Sequence, residues 1–194
     1  MNIDLPELAA LAEKIGGILE RHGLRYHLTG GVVASHYGEM RNTQDVDIVV
    51  DMNTCKDRRS LFQDLKNEFY LDFGAFNEAI QMKSMFQVLD MGTMLRADIY
   101  TASMLPGRFS RIVMAEIVDG VSLPICSPED AILSKLHWIK LGSGRSRKDV
   151  VGMLRVQENL DNEYLEATAE QLGVKPILDE LRKIAENYDP HVIL

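Results

Sequence analysis

The most informative stretch of the chain reads Leu28-Thr-Gly-Gly-Val-Val-Ala-Ser-His-Tyr-Gly-Glu-Met-Arg-Asn-Thr-Gln-Asp-Val-Asp-Ile-Val-Val-Asp51. It ends in a segment rich in β-branched residues, 45–51, which is typical of a strand. A shorter strand, residues 25–29, comes first, and Gly30-Gly31 forms the turn between it and a short helix over residues 32–37. The order strand, turn, helix, strand predicts an α/β architecture for this part of the chain.

Two aspartates on the second predicted strand are placed to share a cation. Side chains alternate along a strand that rises about 3.3 Å per residue, so Asp45 and Asp47 lie on one face with Cα atoms about 6.6 Å apart. Burying an unpaired charge is costly, and packing alone gives little reason to place two acids in a valine-rich strand. The Asp-x-Asp spacing therefore indicates a site for a divalent metal ion.

The two glycines that precede this strand favour phosphate binding. Gly30 and Gly31 lie where a helix begins, so unsatisfied amide groups and the positive end of the helix dipole face an approaching anion. Without Cβ atoms, the backbone there can come close to that anion. Together with Asp-x-Asp, this arrangement suits a nucleoside triphosphate held through its phosphates and magnesium.

The composition limits the partners that the chain can have. Its 194 residues are 46% hydrophobic and 26% charged, which is typical of a globular domain. A net charge of −8 argues against a broad nucleic-acid surface, which needs many cations. We expect no membrane span and no signal peptide, and two cysteines without metal or disulfide spacing, Cys55 and Cys126, favour a reduced, cytoplasmic protein.

The character of the sequence changes between Pro124 and Pro128. Before that point the patterns predict a helix from Asp4 to about Gly23, a second helix near 56–69, and extended segments at 84–90, 94–101 and 118–125. After it they predict helices near 128–141, 147–157, 162–172 and 176–188. The predicted domains are an α/β domain over residues 1–126 and a helical C-terminal subdomain over 127–194.

The motif Gly30-Gly31, followed by Arg41-x-Thr43-x-Asp45-x-Asp47, resembles the signature of the DNA polymerase β-type nucleotidyltransferase superfamily. Within it, the spacing resembles aminoglycoside nucleotidyltransferases and the nucleotidyltransferase-like toxins of the abortive-infection group. The resemblance implies an α/β (α+β) fold in which a mixed sheet is flanked by helices and followed by a C-terminal helical bundle, with residues 1–126 as the catalytic domain. It also implies that the nucleotide is bound by Gly30, Gly31, Arg41 and Thr43.

The same resemblance implies a third carboxylate on a neighbouring strand. Asp98, in Leu95-Arg-Ala-Asp-Ile-Tyr100, is the best match, and Asp90 near a turn is the alternative. Asp45, Asp47 and Asp98 would then be both the catalytic residues and the ligands of two magnesium ions. Asp98 would also accept the proton of the acceptor hydroxyl.

The resemblance extends to the helices after Pro128. Toxin-like members carry a Lys-Leu pair and a basic-Asp pair, which match Lys135-Leu136 and Lys148-Asp149 here. This implies that Lys135 and Lys148 bind the nucleotide, although Lys135 can also be a solvated lysine. Those members often carry another aspartate where this chain has Gly152, so the role of Asp149 stays open.

These observations predict a magnesium-dependent enzyme that moves a nucleoside monophosphate from a triphosphate to a hydroxyl acceptor and releases pyrophosphate. A small hydroxylated acceptor suits the acidic remainder of the chain. The basic segment from Lys135 to Lys148 would suit an RNA end or a protein hydroxyl instead, as in a toxin-like enzyme. A nucleotide-binding regulator without catalysis and a purely structural module are further alternatives.

Overall fold

The computed structural model describes residues 4–102, 105 and 109–188, which form a mixed β-sheet and eight α-helices. The α-helices are α1 (Leu5–Arg21), α2 (Gly30–Tyr37), α3 (Arg58–Glu68), α4 (Phe73–Met82), α5 (Pro128–Lys140), α6 (Arg145–Val156), α7 (Asn162–Leu172) and α8 (Lys175–Glu186). The strands are β1 (Tyr26–Thr29), β2 (Asp45–Val50), β3 (Met85–Leu89), β4 (Arg96–Tyr100), β5 (Ile112–Val118) and β6 (Val121–Cys126). The predicted α/β class is confirmed, and the regular elements described between residues 128 and 188 are all helices.

The six strands form one sheet in the order β3-β4-β2-β1-β6-β5. β2 runs parallel to β4 and β1 parallel to β6, while the β1–β2, β3–β4 and β5–β6 pairs are antiparallel. Side chains alternate between the two faces, so Val46 and Ile48 of β2 are buried on one face and Asp45 and Asp47 lie on the other. One face of the sheet therefore carries the core and the other carries the acidic residues.

The helix α1 covers the apolar face of the sheet and packs against β1, β2 and β6. Its apolar residues recur at helical spacing, and Leu8, Leu11 and Ile15 are almost completely buried. A Cβ atom at Gly16 would lie only 2.0 Å from the hydroxyl of Tyr26 on β1. The glycine thus lets the helix approach the sheet closely enough to bury this tyrosine.

The chain divides into two compact units. The first, Met1–Val32 and Asn42–Cys126, contains the sheet with α1, α3 and α4. The second, Val33–Arg41 and Ser127–Leu194, contains the four C-terminal helices and most of α2. Its core is formed by apolar side chains of α5 to α8, including Ile132, Leu136, Val150, Met153, Leu165, Leu178 and Leu181.

Three local differences separate the predicted elements from the observed ones. Helix α4 was not predicted, although Asp72 caps it by accepting a hydrogen bond from the Ala75 amide. The hairpin around Asp119-Gly120 begins earlier than predicted, because its first strand, β5, lies almost entirely before residue 118. Gly30 and Gly31 form the first turn of α2 rather than a separate turn. None of the described helices combines the length and hydrophobicity needed to cross a bilayer.

Candidate functional site

Three aspartates lie on the polar face of the sheet, on two neighbouring strands. Asp45 and Asp47 belong to β2, and Asp98 belongs to β4. In the parallel β2–β4 register, Asp47 is directly opposite Asp98, so the two side chains emerge from the same face about 4.8 Å apart at the backbone. The structure thus places the predicted third carboxylate beside the first two. The three residues are called the acidic row below.

The alternative third carboxylate, Asp90, lies outside the sheet in the turn between β3 and β4. Its Oδ1 atom accepts hydrogen bonds from the amides of Gly92, at 2.8 Å, and Thr93, at 3.2 Å. Its Oδ2 atom lies 3.7 Å from Nζ of Lys14. These contacts are those of a residue that stabilises a tight turn, and the strand register favours Asp98.

The space over Gly30 is occupied by an aspartate side chain. Gly30 has a φ of +69°, and a Cβ atom there would lie 1.7 Å from Oδ2 of Asp47. Sequence reasoning assigns this glycine to a phosphate cradle. In the structure its missing side chain makes room for Asp47, and the positive φ is a second reason for glycine, because other residues are strained there.

The negative charges of the acidic row act on the hydroxyl of Tyr100, which lies two residues beyond Asp98 on β4. Its hydroxyl donates a hydrogen bond of 3.3 Å to Oδ1 of Asp47. Burial raises the pKa of Tyr100 well above its usual value, and the negative charges of Asp47, Asp98 and Asp45 raise it further. All three carboxylates are therefore close enough to act on one hydroxyl.

The residues of the acidic row fit a hard divalent cation by their chemistry. Mg²⁺ prefers oxygen ligands, and carboxylates are its usual protein ligands. Charges about 5 Å apart repel by about 3 kcal/mol at an effective dielectric constant of about 20, which a shared cation would relieve. Within the described residues no three His, Cys, Asp or Glu side chains already converge on a point that could hold a metal ion. Mg²⁺ keeps several waters and is usually bound through one or two carboxylates, so the pair Asp47 and Asp98, which lie opposite each other in the register, would suffice to hold it.

A second charged cluster lies in the helical unit and joins Arg41, Lys135 and Asp149, called the Asp149 cluster below. Oδ1 and Oδ2 of Asp149 accept hydrogen bonds from Nε of Arg41 at 2.6 Å and from its Nη2 atom at 3.0 Å. Nζ of Lys135 lies 2.8 Å from Oδ2. The side chains of Asp149, Lys135 and Arg41 are 3%, 11% and 24% exposed, so the cluster holds two cations on one buried carboxylate.

Each carboxylate oxygen of Asp149 has a cationic partner in this cluster. The same packing gives a reason for a glycine at position 152. The role of Asp149 was open in the sequence, and the structure shows that it fixes two of the cations predicted to bind nucleotide. A Cβ atom at Gly152 would lie 3.2 Å from the backbone nitrogen of Glu39. Any side chain at position 152, including the aspartate of the toxin-like pattern, would crowd the segment that carries Arg41.

The other basic side chains of this segment are of two kinds, those that bind a neighbouring helix and those that have no such partner among the described residues. Nζ of Lys140 donates to the carbonyl of Leu172 at the end of α7, and Arg147 pairs with Glu180 of α8. The side chains of Arg145 and Lys148, in the first turn of α6, are exposed and form no hydrogen bond or ion pair with any described residue. Lys148 is thus placed as an available cation, while Lys135 is not a solvated lysine.

Thr43 stands beside the acidic row, and three further residues there were not singled out from the sequence. The Thr43 hydroxyl donates to Oδ1 of Asp45 at 3.3 Å. Gln87, Arg96 and Tyr100 face the same side of the sheet as the acidic row. Arg96 and Tyr100 lie two residues before and two residues after Asp98, so side-chain alternation along a strand predicts that they share its face. Gln87 is on another strand, and only the β3–β4 register shows that it lies beside Asp98.

Comparison with solved structures identifies the fold. An antigenic nucleotidyltransferase-like protein from Paracoccidioides brasiliensis matches with a TM-score of 0.51 and 17% identity over 92% of this chain and 91% of that one. The antibiotic-resistance factor ANT(2'')-Ia, in a solution structure, matches with a TM-score of 0.52 and 14% identity over 96% and 94%. The lincosamide antibiotic adenylyltransferase LnuA, bound to lincomycin, matches with a TM-score of 0.51 and 15% identity over 81% and 100%.

No protein-family model matches the sequence, and no curated protein matches it significantly. At identities of 14 to 17%, the likeness establishes the fold. The chain therefore has a nucleotidyltransferase fold, and the predicted resemblance to nucleotidyltransferases of the DNA polymerase β type is confirmed at that level.

Proposed function

We propose that the protein is a magnesium-dependent nucleotidyltransferase that transfers a nucleoside monophosphate from a triphosphate to a hydroxyl acceptor. The observation that carries this proposal is the acidic row: Asp47 lies opposite Asp98 in the sheet, and Asp45 shares their face. Bound Mg²⁺ would neutralise phosphate charge at these carboxylates. In a nucleotidyltransferase fold, this donor set has a direct chemical use.

The reaction needs one bond formed and one broken at the α-phosphorus. The oxygen of the acceptor hydroxyl attacks that atom, the bond to the bridging oxygen breaks, and pyrophosphate leaves. Asp98 is the carboxylate that we assign to the proton lost by the acceptor, because it lies one strand nearer the β3 edge of the sheet than Asp45 and Asp47. Orientation of the reactants and stabilisation of charge would supply most of the acceleration.

The triphosphate requires cations that are held in place, and the Asp149 cluster supplies two. In this cluster Asp149 holds the Arg41 guanidinium and the Lys135 ammonium in place side by side. Lys148 adds an exposed cation. We assign these three side chains to the triphosphate, together with Thr43 and with the backbone of Gly30 and Gly31 at the start of α2.

For the acceptor we propose a small hydroxylated molecule. LnuA is a lincosamide adenylyltransferase bound to lincomycin, and the net charge of −8 suits a neutral or cationic acceptor better than a polyanion. The exposed Arg145 and Lys148 favour the second candidate, a toxin-like enzyme that modifies RNA or a protein hydroxyl. Cys55 and Cys126 are not joined in a disulfide, which supports a cytoplasmic setting for either activity.

The test combines nucleotide binding with turnover. Thermal unfolding should be measured with each of the four triphosphates, with and without Mg²⁺, followed by pyrophosphate release in the presence of lincosamides, aminoglycosides, RNA 3′ ends and hydroxyl-bearing proteins. We expect turnover with a small hydroxylated acceptor and a loss of about 10³-fold in Asp47→Asn. Equal turnover by Asp47→Asn and wild type would refute the proposal.

The remaining outcomes identify the alternatives. Turnover only with RNA or protein would support the toxin-like enzyme. Magnesium-dependent binding without turnover on any acceptor would indicate a nucleotide-binding regulator. No response to any triphosphate would indicate a structural module.

A further inference from the structure

Two neutral side chains donate hydrogen bonds to the acidic row from the same face of the sheet. Nε2 of Gln87, on β3, lies 2.8 Å from Oδ1 of Asp98, which it faces directly in the β3–β4 register. The hydroxyl of Tyr100 donates to Oδ1 of Asp47 at 3.3 Å. Neither residue belongs to the motif that predicts the site, and each contacts a different carboxylate.

A neutral donor fixes the direction of a carboxylate without cancelling its charge. Asp98 forms no ion pair with any described residue, although Arg96 lies two residues away on the same strand and face. The Arg96 side chain is exposed and forms no hydrogen bond or ion pair with a described residue. A cationic donor in place of Gln87 would orient Asp98 equally well but would compete with a metal ion for its charge.

The Asp47 carboxylate is held at Oδ1 and packs against the backbone of Gly30 on the side of Oδ2. Tyr100 holds Oδ1, and Oδ2 occupies the space that a Cβ atom at Gly30 would need. Side chains that hydrogen-bond to metal ligands restrict their rotation and strengthen the site. The shape of the backbone and one hydroxyl thus restrict the rotation of this carboxylate.

We propose that Gln87 and Tyr100 are positioning residues that orient Asp98 and Asp47 for a divalent cation through uncharged donors. This inference rests on the proposed function, because it assumes that the acidic row binds a metal ion. It extends that function to two residues that would not touch the nucleotide, the acceptor or the reacting atoms. Their contribution should therefore appear in metal affinity.

The experiment measures Mn²⁺ binding to the full chain by electron paramagnetic resonance of the free ion, without nucleotide. Mn²⁺ serves as the probe because it shares the oxygen ligands of Mg²⁺. We expect Kd to rise about tenfold in both Gln87→Leu and Tyr100→Phe, and further in Gln87→Lys, which adds a cation beside Asp98. Gln63→Leu is the matched control, since Gln63 is an exposed residue of α3.

A second readout separates positioning from a general structural role. The Mg²⁺ concentration for half-maximal pyrophosphate release should rise in parallel with the Mn²⁺ Kd, while the triphosphate KM at saturating Mg²⁺ should stay at the wild-type value. Thermal unfolding of each variant, without metal, verifies that it is folded. Gln87 is exposed, so its variants keep the proposal testable even if Tyr100→Phe is unstable.

Three results would overturn the inference, and they have different consequences for the function. If Asp47→Asn abolishes Mn²⁺ binding while Gln87→Leu and Tyr100→Phe bind like wild type, the inference fails and the metal site stands. If Gln87→Lys binds as tightly as wild type, the requirement for an uncharged donor is wrong. If wild type binds no Mn²⁺, the inference and the metal-dependent function both fail.

Discussion

The acidic row and the Asp149 cluster treat aspartates in opposite ways. In the cluster, a 3% exposed carboxylate meets two cationic side chains. In the acidic row, Thr43, Gln87 and Tyr100 donate hydrogen bonds as neutral groups. A cationic partner neutralises most of the charge of a carboxylate, whereas a neutral donor orients the carboxylate and leaves it negatively charged. Asp149 is therefore suited to holding cations of the protein, and Asp98 to meeting a cation from outside.

The strongest test of this difference compares Asp149→Asn with Asp98→Asn. The first leaves two poorly solvated cations without a counter-charge and should reduce the free energy of unfolding by about 3 kcal/mol. The second removes charge from a row of repelling carboxylates and should leave the free energy of unfolding unchanged or raise it by up to about 3 kcal/mol. Urea unfolding followed by circular dichroism measures both.

In the pyrophosphate-release assay, a large effect is expected from Asp98→Asn, the variant that retains its stability. Asp98→Asn should lose pyrophosphate release while it remains at least as stable as wild type. If Asp149→Asn unfolds at the same urea concentration as Asp98→Asn, the cluster is not the structural anchor that its burial implies.

The contact between Gly30 and Asp47 offers a second test, with a built-in control. Gly30→Ala combines a strained positive φ with a Cβ atom 1.7 Å from the Asp47 carboxylate, so it should cost about 2–3 kcal/mol and weaken Mn²⁺ binding. Gly120→Ala has a similar φ of +76° but meets no atom within 4 Å, and should cost only about 1 kcal/mol. Equal losses in urea unfolding would mean that backbone strain alone explains Gly30.

Local patterns predicted the elements of the acidic row, but contacts between distant segments stayed hidden. The alternation of Asp45-Val-Asp-Ile places both acids on one face, and the flanking residues of Asp98 indicate a strand. The sequence could not show that Gly30 makes room for Asp47, because that contact depends on how the start of α2 approaches β2. It assigned this glycine to phosphate from its position before a helix.

The Asp149 cluster was even less accessible from the sequence. Arg41 and Asp149 are separated by 108 positions, and no periodic pattern links an arginine in a loop to an aspartate on α6. The missed helix α4 is different, since Phe76, Ala79 and Ile80 show helical spacing and are buried. There the signal was present, and Gly74 in the first turn weakened it.

The geometry of the Arg41–Asp149 pair provides a third test with a moderate effect. Arg41→Lys retains the charge but cannot donate both hydrogen bonds in one plane. We expect a loss of about 1–2 kcal/mol in the free energy of unfolding and a higher triphosphate KM in the pyrophosphate-release assay. A variant as stable as wild type would show that charge alone, without the paired geometry, holds Asp149.

The smallest effect belongs to Lys148, whose side chain is exposed and forms no hydrogen bond or ion pair in the described part of the chain. Lys148→Gln should leave the free energy of unfolding within about 0.5 kcal/mol of wild type and should weaken triphosphate binding roughly threefold, since an exposed charge contact contributes little. Arg145→Gln, three residues earlier on α6 and equally exposed, is the matched control. If calorimetric titration gives the same weakening for both, the triphosphate responds to the general positive field of this segment, and Lys148 has no specific contact with it.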